Sequence, residues 1–397
     1  MNNLRTKLMF ALLNSCAKLL AVRKSFQYRI YPSKRQFTLM RQTLDECRWL
    51  YNHLLEQRKI AYEERNESLS LYGQQATFPL LKKERESLKT VHSQVLQNVA
   101  VRIDLAFKAF FRRVKAKQNP GYPRFRGANR YDSFCFPQGG FKVKGHHLKL
   151  SKIGNVHIVL HRPIEGKIKT CCVRRSSTGK WYATFSCEVE AVRLPDNDIA
   201  VGIDVGIQTF AHLSTDEKIG SPKFFRSEQK ALAKVQRRLS KEEKGTPERV
   251  KRRKPVSRVH ERIRFKRHNF VHQEARKIVN RFGYIFVEDL NVNRMMHESC
   301  LAKSIADASW SMFFDLLFSK AEEAGRTISK VNPAYTSQNC SKCGHRQKMP
   351  LNVRLFDCPC CHIQIDRDFN ASLNILAIGL DGIGNQSVEA PALMRGE

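Results

Sequence analysis

Acidic side chains are scarce in this chain: 37 Asp and Glu stand against 70 Lys and Arg, leaving a formal charge of +33 over 397 residues. A compact particle with that excess repels itself unless a polyanion or counterions offset it, and nucleic acid is the natural polyanion. Long apolar runs are also missing. No uninterrupted stretch reaches the roughly 18 residues needed to span a bilayer, which removes a membrane as the partner of so basic a protein. The opening MNNLRTKLMFALLNSCAKLLAV has the basic start and apolar middle of a secretory signal, but Asn14, Ser15 and Lys18 interrupt the run and no small-residue cleavage site follows. Residues 1–23 are therefore read as an N-terminal extension, either a short amphipathic helix or a dispensable segment.

A disulfide framework of the small secreted kind is absent as well, because the twelve cysteines are scattered along a long basic chain. Reduced thiols in the cytosol are expected, with Cys16, Cys47, Cys135, Cys187 and Cys300 as small buried hydrophobes. One tight group stands apart. Cys340-Ser-Lys-Cys343 and Cys358-Pro-Cys-Cys361 are two C-x2-C knuckles separated by 14 residues, close to the spacing of a zinc ribbon. Four thiolates close a tetrahedral zinc site, so the metal is structural and Cys360 is the spare, with Cys360 in place of Cys361 the alternative ligand.

What is present reads as a mosaic, with a 42% hydrophobic content sufficient for two or three domain cores. Lys24 to Tyr31 alternates like a strand and stops at Pro32. Arg35 to Arg65 and Ser93 to Lys117 carry apolar residues at helical spacing, with Leu69 to Gly73 read as a loop between them. After the break NPGYPRFRG come short alternating runs around Ser133–Phe136, Phe141–Leu150, Val156–Leu160, Lys167–Arg174 and Trp181–Val189, read as a small antiparallel barrel that the first strand joins. Basic and aromatic residues alternate at its start, in Tyr122, Arg124 and Arg126, as suits a groove that follows phosphates and stacks bases.

Beyond the linker LPDND, three apolar stretches each end on a carboxylate: Asp204 in IAVGIDVG, Glu288 in YIFVEDLNV and Asp368 in IDRDFNASLNI. Hard cations such as Mg2+ take oxygen ligands, and two of them held a few ångström apart activate a water and stabilise the leaving oxygen of a phosphodiester. The pattern predicts a metal-dependent nuclease whose opening strand hairpin is of ribonuclease H type. Asp366 competes with Asp368 for the third place; Asp368 is favoured, leaving Asp366 as a helix cap. Between the first two acids, residues 225–282 are expected to be largely helical, and residues 249–267 hold ten Lys or Arg, among them Arg252, Arg253, Lys254, Arg264 and Arg267 as candidate phosphate contacts.

Together, GIDVGIQTFA, FVEDLNV, NPAYTSQNCSKCGH and CPCC leading into DRDFNASLNIL, preceded by RIYPSKRQ and GYPRFRG, resemble TnpB, the OrfB-type protein of bacterial insertion sequences, from about Lys24 to Ala377. The resemblance implies an α/β multidomain RNA-guided DNA endonuclease related to type V CRISPR effectors. Its parts would be a wedge-like antiparallel β-barrel (24–31 and 120–195), an inserted helical recognition domain (32–119), and a RuvC-like nuclease (196–333 and 365–380). A zinc ribbon (334–364) would act as target-strand loading module, before a flexible tail (381–397). It further implies a guide RNA from the transposon end, a target DNA with a short flanking motif read by protein, and two catalytic Mg2+ ions. His362 departs from the family pattern, standing where Gly commonly follows the last ribbon cysteine. Two other classes compete: a nuclease-inactive RNA-guided regulator, against which the intact acidic set argues, and an accessory transposase, for which no Tyr or Ser stands out as nucleophile.

Overall fold

The computed structural model describes residues 21–383 apart from Asn129, Ser299 and Leu351. Nearly all of the predicted extension, Cys16 included, and residues 384–397 of the predicted tail lie outside that range. The chain divides into two units after Glu190.

In the first unit, strand β1 (Ala21–Tyr31) buries Phe26, Tyr28 and Ile30 and turns Ser25, Gln27 and Tyr31 outward, the period of two that a half-buried strand requires. It starts inside the segment read as extension. After it come α1 (Lys34–Arg65), α2 (Leu71–Ala76), α3 (Phe78–Glu84) and α4 (Ser93–Lys115), then β2 (Ser133–Phe136), β3 (Phe141–Lys144), β4 (His147–Leu150), β5 (Gly154–Val159), β6 (Lys167–Arg175) and β7 (Trp181–Glu190). The strands form one antiparallel sheet in the order β2-β6-β7-β1-β5-β4-β3. No ladder joins the edge strands β2 and β3, although the Phe136 and Phe141 rings meet there at 6.3 Å. A capping box between Ser33 and Gln36 starts α1, which satisfies two backbone donors and turns strand into helix.

Two expectations are corrected here. Leu69 to Gly73, expected as a loop, runs into α2, whose Ser70 hydroxyl caps the Gly73 N–H and whose Gln74 side chain donates to the Leu54 carbonyl. That long-range bond is invisible to local patterning. Cys135, expected as a lone buried thiol, is joined to Cys172 as a disulfide, because the β2–β6 register sets the two directly opposite each other. Cys47 and Cys187 are buried as expected, and Cys300 is exposed.

The second unit runs β8 (Ala200–Val205), β9 (Thr209–Leu213), β10 (Lys218–Gly220), α5 (Phe224–Ser240), α6 (Pro247–Arg281), β11 (Tyr284–Glu288), α7 (Val292–Glu298), α8 (Ala302–Ala308), α9 (Trp310–Ala324), β12 (Thr327–Val331), β13 (Leu355–Asp357), β14 (Gln364–Asp366) and α10 (Arg367–Ile383). Its main sheet has the order β10-β9-β8-β11-β12, antiparallel at the hairpins and parallel from β8 through β11 to β12. Helix α10 reaches Ile383, so the first residues assigned to the tail are helical.

Both faces of this sheet are covered, as parallel strands demand. Val201, Ile203, Ile285 and Val287 pack on one face against Val271, Ala275 and Ile278 of α6 and Phe313 and Leu317 of α9. Ala200 and Phe286 pack on the other against Ile375 and Leu376 of α10. The second contact is unusually close. A Cβ at Gly202 would lie 2.2 Å from the Ser372 carbonyl oxygen and 2.6 Å from the Leu376 nitrogen, and one at Gly379 would lie 2.2 Å from the Phe286 ring.

Those clashes involve backbone at Gly202, so the helix itself must retreat if a side chain is added. Gly202→Val is expected to destabilise the protein by about 1–3 kcal/mol or more and to lower its thermal midpoint, while Gly220→Ala, where a Cβ meets nothing within 4 Å, leaves the midpoint near its starting value. Comparison of the two melting curves checks this.

Candidate active site

The sheet and its covering helix bring Asp204 within electrostatic reach of both Glu288 and Asp368. The paired residues of β8 and β11 end at Ile203 and Val287. One step further, Asp204 and Glu288 stand at the exits of neighbouring strands, which are spaced about 4.8 Å apart. Asp204, two residues from Gly202, shares the face on which α10 lies. From Ser372 one helical turn back to Asp368 is a rise of about 6 Å, and from Gly202 to Asp204 along the strand is about 6.6 Å. The two steps match because α10 runs against the direction of β8, and a Cβ on Gly206 would lie 3.8 Å from Asp368 Oδ2.

The electrostatics follow from that proximity. Burial first, then the charges of Glu288 and Asp368, raise the Asp204 carboxyl well above its ordinary range, against the opposing pull of the Arg367 guanidinium and the Val205 N–H. Burial also raises Glu288, and the Thr336 hydroxyl, which donates to Glu288 Oε1 at 2.5 Å, opposes it. Asp368 is held between guanidinium groups: Arg367 donates to Oδ1 at 3.0 and 3.2 Å, and Arg354 reaches Oδ2 at 3.3 Å. Asp366 has another task. Its Oδ1 accepts the N–H groups of Asp368 and Phe369, capping α10, and its Oδ2 accepts Lys218 at 2.8 Å. Burial pushes its pKa up, but Lys218 and the helix N–H groups together hold it below the ordinary value. Asp289, next to Glu288, is exposed and paired with Lys330.

The cysteine knuckles form a second site. The ligand atoms of Cys340, Cys343, Cys358 and Cys361 all lie within 4.8 Å of one another, with Sγ to Sγ separations of 3.5 Å for Cys340–Cys361 and 3.6 Å for Cys343–Cys358. A tetrahedron of sulfurs about 2.3 Å from zinc has edges of about 3.8 Å, so this donor set fits the ion. Backbone N–H groups of Cys361 and Cys360 point at Cys358 and lower its thiol to about 6. The two knuckles have parallel backbones: Gly344 after the first has φ of 73° and His362 after the second has φ of 55°. His362 thus occupies the left-handed position in which glycine is preferred, a conformation that His adopts at a steric cost. Cys360 is exposed.

Sequence reasoning missed the residues that bind this ribbon to the acids. Asn370, fully buried, donates to the Asn339 carbonyl and accepts the Ser341 N–H, while Asn374 donates to the carbonyls of Thr336 and Asn339. Both asparagines lie on α10 one turn apart, at Asp366 plus four and plus eight, and that spacing was the available signal. Thr336, Arg354 and Arg367 carried no pattern of their own.

The candidate nucleic-acid residues divide by environment. Arg252, Arg253, Lys254 and Arg264 are exposed along α6, although Arg252 reaches Glu242 at 3.3 Å. Arg267 is engaged within the fold: it donates at 2.7 Å to Asp307, whose carboxylate also accepts the Phe225 N–H at the start of α5. In the first unit Tyr122, Arg124 and Arg126 are exposed; Tyr122 lies edge-on to Phe107 and Phe110, and the Arg126 guanidinium sits 5.5 Å above the Tyr51 ring. Among the described residues no helix is long and apolar enough to cross a membrane.

Comparison with known proteins places the chain. Three family descriptions match: "Probable transposase" (OrfB of the IS605 type) over residues 184–298, "Cas12f1-like, TNB domain" over 310–375, and "Helix-turn-helix domain" over 22–67. In this structure the last range holds β1 and the single helix α1. A Streptomyces pristinaespiralis protein named "Putative RNA-guided DNA endonuclease" is 34% identical over 90% of each chain, and Escherichia coli InsQ, named likewise, is 30% identical over 90% of this chain and 92% of its own. Among solved structures, a Cas12f1 complex with guide RNA and target DNA superposes with a TM-score of 0.57 at 15% identity, covering 89% of this chain and 98% of that one. The mini-RNA-guided endonuclease Cas_phi3 gives 0.56 at 10%, over 96% and 95%. These two likenesses bear on the fold.

Two outcomes test the site. Because Asp204 has a raised pKa when folded, it costs nothing while protonated and destabilises increasingly as the pH rises from its ordinary 3.8 through the raised value. In magnesium-free buffer Asp204→Asn should therefore raise the thermal midpoint at pH 8 and raise it less near pH 4; equal gains at both would contradict the assignment. For the ribbon, Cys360→Ser should keep a full equivalent of zinc by elemental analysis and Cys361→Ser should lose it.

Proposed function

The chain belongs to the OrfB (TnpB) family, and from that premise we propose that it is an RNA-guided, metal-dependent DNA endonuclease encoded by an insertion sequence, which cuts target DNA beside a short flanking motif. The observation that carries this reading is the meeting of Asp204, Glu288 and Asp368 at one end of a sheet in a chain of +33 charge. The second unit is then a RuvC-like nuclease with its zinc ribbon as target-strand loading module, and the first a wedge-like barrel with its helical recognition insertion. The guide RNA would come from the transposon end.

The donor set suits magnesium: three carboxylates and no soft ligand, two of them with pKa values raised chiefly by burial. Bound there, magnesium, as two ions, would supply a hydroxide at neutral pH and stabilise the leaving oxygen. The residues do the rest. Asp204 and Glu288 present their carboxylates from rigid strand ends. Asp368 projects from the first turn of a helix whose own N–H groups are capped by Asp366, so its backbone is fixed. Arg354 and Arg367 balance the charge of Asp368. Arg252, Arg253, Lys254 and Arg264 on α6, and Tyr122, Arg124 and Arg126 in the first unit, would hold phosphates and bases. Such contacts grip backbone, while base pairing with the guide reads the sequence.

Asp204→Ala, Glu288→Gln and Asp368→Asn should each abolish cleavage of a matched plasmid by protein purified with its RNA, and each should leave guide-directed binding of that plasmid intact in a mobility shift. Cleavage at the original rate by any of the three would overturn the proposal, and retained binding without any cleavage by the unaltered protein would favour the regulator.

A further inference from the structure

Glu288 and the ribbon share one hydrogen bond that neither the metal chemistry nor the zinc chemistry explains. Thr336 lies four residues before the first ribbon cysteine and is 4% exposed, and Glu288 is 8% exposed. The hydroxyl has one proton. It lies 2.5 Å from Glu288 Oε1 and 3.3 Å from the Pro333 carbonyl oxygen, so the proton belongs to the shorter contact with the carboxylate. The threonine is itself immobilised, because Asn374 of α10 donates to its carbonyl oxygen. The next anchor points along the same segment are the Asn339 carbonyl and the Ser341 N–H, both held by α10 and both adjoining Cys340.

We propose that Thr336 is a positioning residue for Glu288: it fixes Oε1, leaves Oε2 for a divalent cation, and so makes assembly of the acidic site depend on a zinc-loaded ribbon docked against α10. The inference rests on the reading of Asp204, Glu288 and Asp368 as cation ligands. The physical basis is general. A carboxylate at a strand end can rotate about its terminal bonds, and a donor that locks one oxygen orients the other; loss of such an outer partner typically weakens metal affinity about 10- to 100-fold. The segment 336–341 is held by α10 at Thr336, Asn339 and Ser341, and zinc bound at Cys340 would fix the turn of chain between the last two anchors.

The test uses full-length, zinc-loaded protein free of RNA, with Mn2+ as the probe, titrated by calorimetry; magnesium half-saturation of plasmid cleavage by the RNA complex is a second readout. Thr336→Val, which keeps the shape and removes the donor, should weaken Mn2+ binding and raise the magnesium half-saturation by at least about tenfold, with zinc content unchanged. Thr336→Ser should restore both. Removing zinc from the unaltered protein should weaken Mn2+ binding by a similar factor and change it little in Thr336→Val. Mn2+ binding by Thr336→Val equal to that of the unaltered protein, or a serine variant as impaired as valine, would overturn the inference. Asp204→Ala separates the two ideas: if it too binds Mn2+ normally, the cation site itself is wrong, whereas if it alone loses binding, only the role of Thr336 fails.

Discussion

The approach of α10 to β8 is the constraint on which the second unit depends. Ordinary side chains would hold a helix away from a sheet, and here the absence of side chains at Gly202 and Gly379 lets it come closer. The closeness is what makes a carboxylate on the helix and two on strand ends into one group. It also sets the register. One helical turn and two strand residues are nearly the same length, so fixing Ser372 over Gly202 fixes Asp368 beside Asp204 without further instruction.

The same helix organises charge. A chain with nearly twice as many cations as anions still concentrates three acids at one place, and burial there leaves Asp204 and Glu288 poorly compensated. Cations meet this group from one side: Arg354 and Arg367 pair with Asp368, and Arg367 also opposes the rise at Asp204, while Lys218 pairs with Asp366 and Lys330 with Asp289.

Much of this was legible in the residues. The alternating runs of the first unit, β8, β9 and β11 of the second, the long helices around Leu44 and around Ile278, and the carboxylates at strand exits follow from period and from the residue types at the ends of apolar runs, whereas β10, β12, β13 and β14 have no such signature. The choice of Asp368 over Asp366 was open in the pattern, and geometry assigns Asp366 to the cap through bonds to two N–H groups. What the pattern could not show lies in contacts between distant segments. Helix α2 is held by Gln74 reaching Leu54, the Cys135–Cys172 bond follows from a strand register, and Arg267 turns inward because Asp307 stands opposite it. Thr336 is the clearest instance: a threonine in a polar loop has no periodic signature, and its importance arises only from where Glu288 ends up.

The ribbon enters and leaves through the same helix. Asn370 and Asn374 hold its first strand of chain, while its last, β14, runs directly into α10 at Asp366. Between these two moorings lies a loop whose closure cost grows only slowly with length. The tip of this appendage can thus lengthen or shorten at little thermodynamic penalty, with the carboxylates at its base undisturbed.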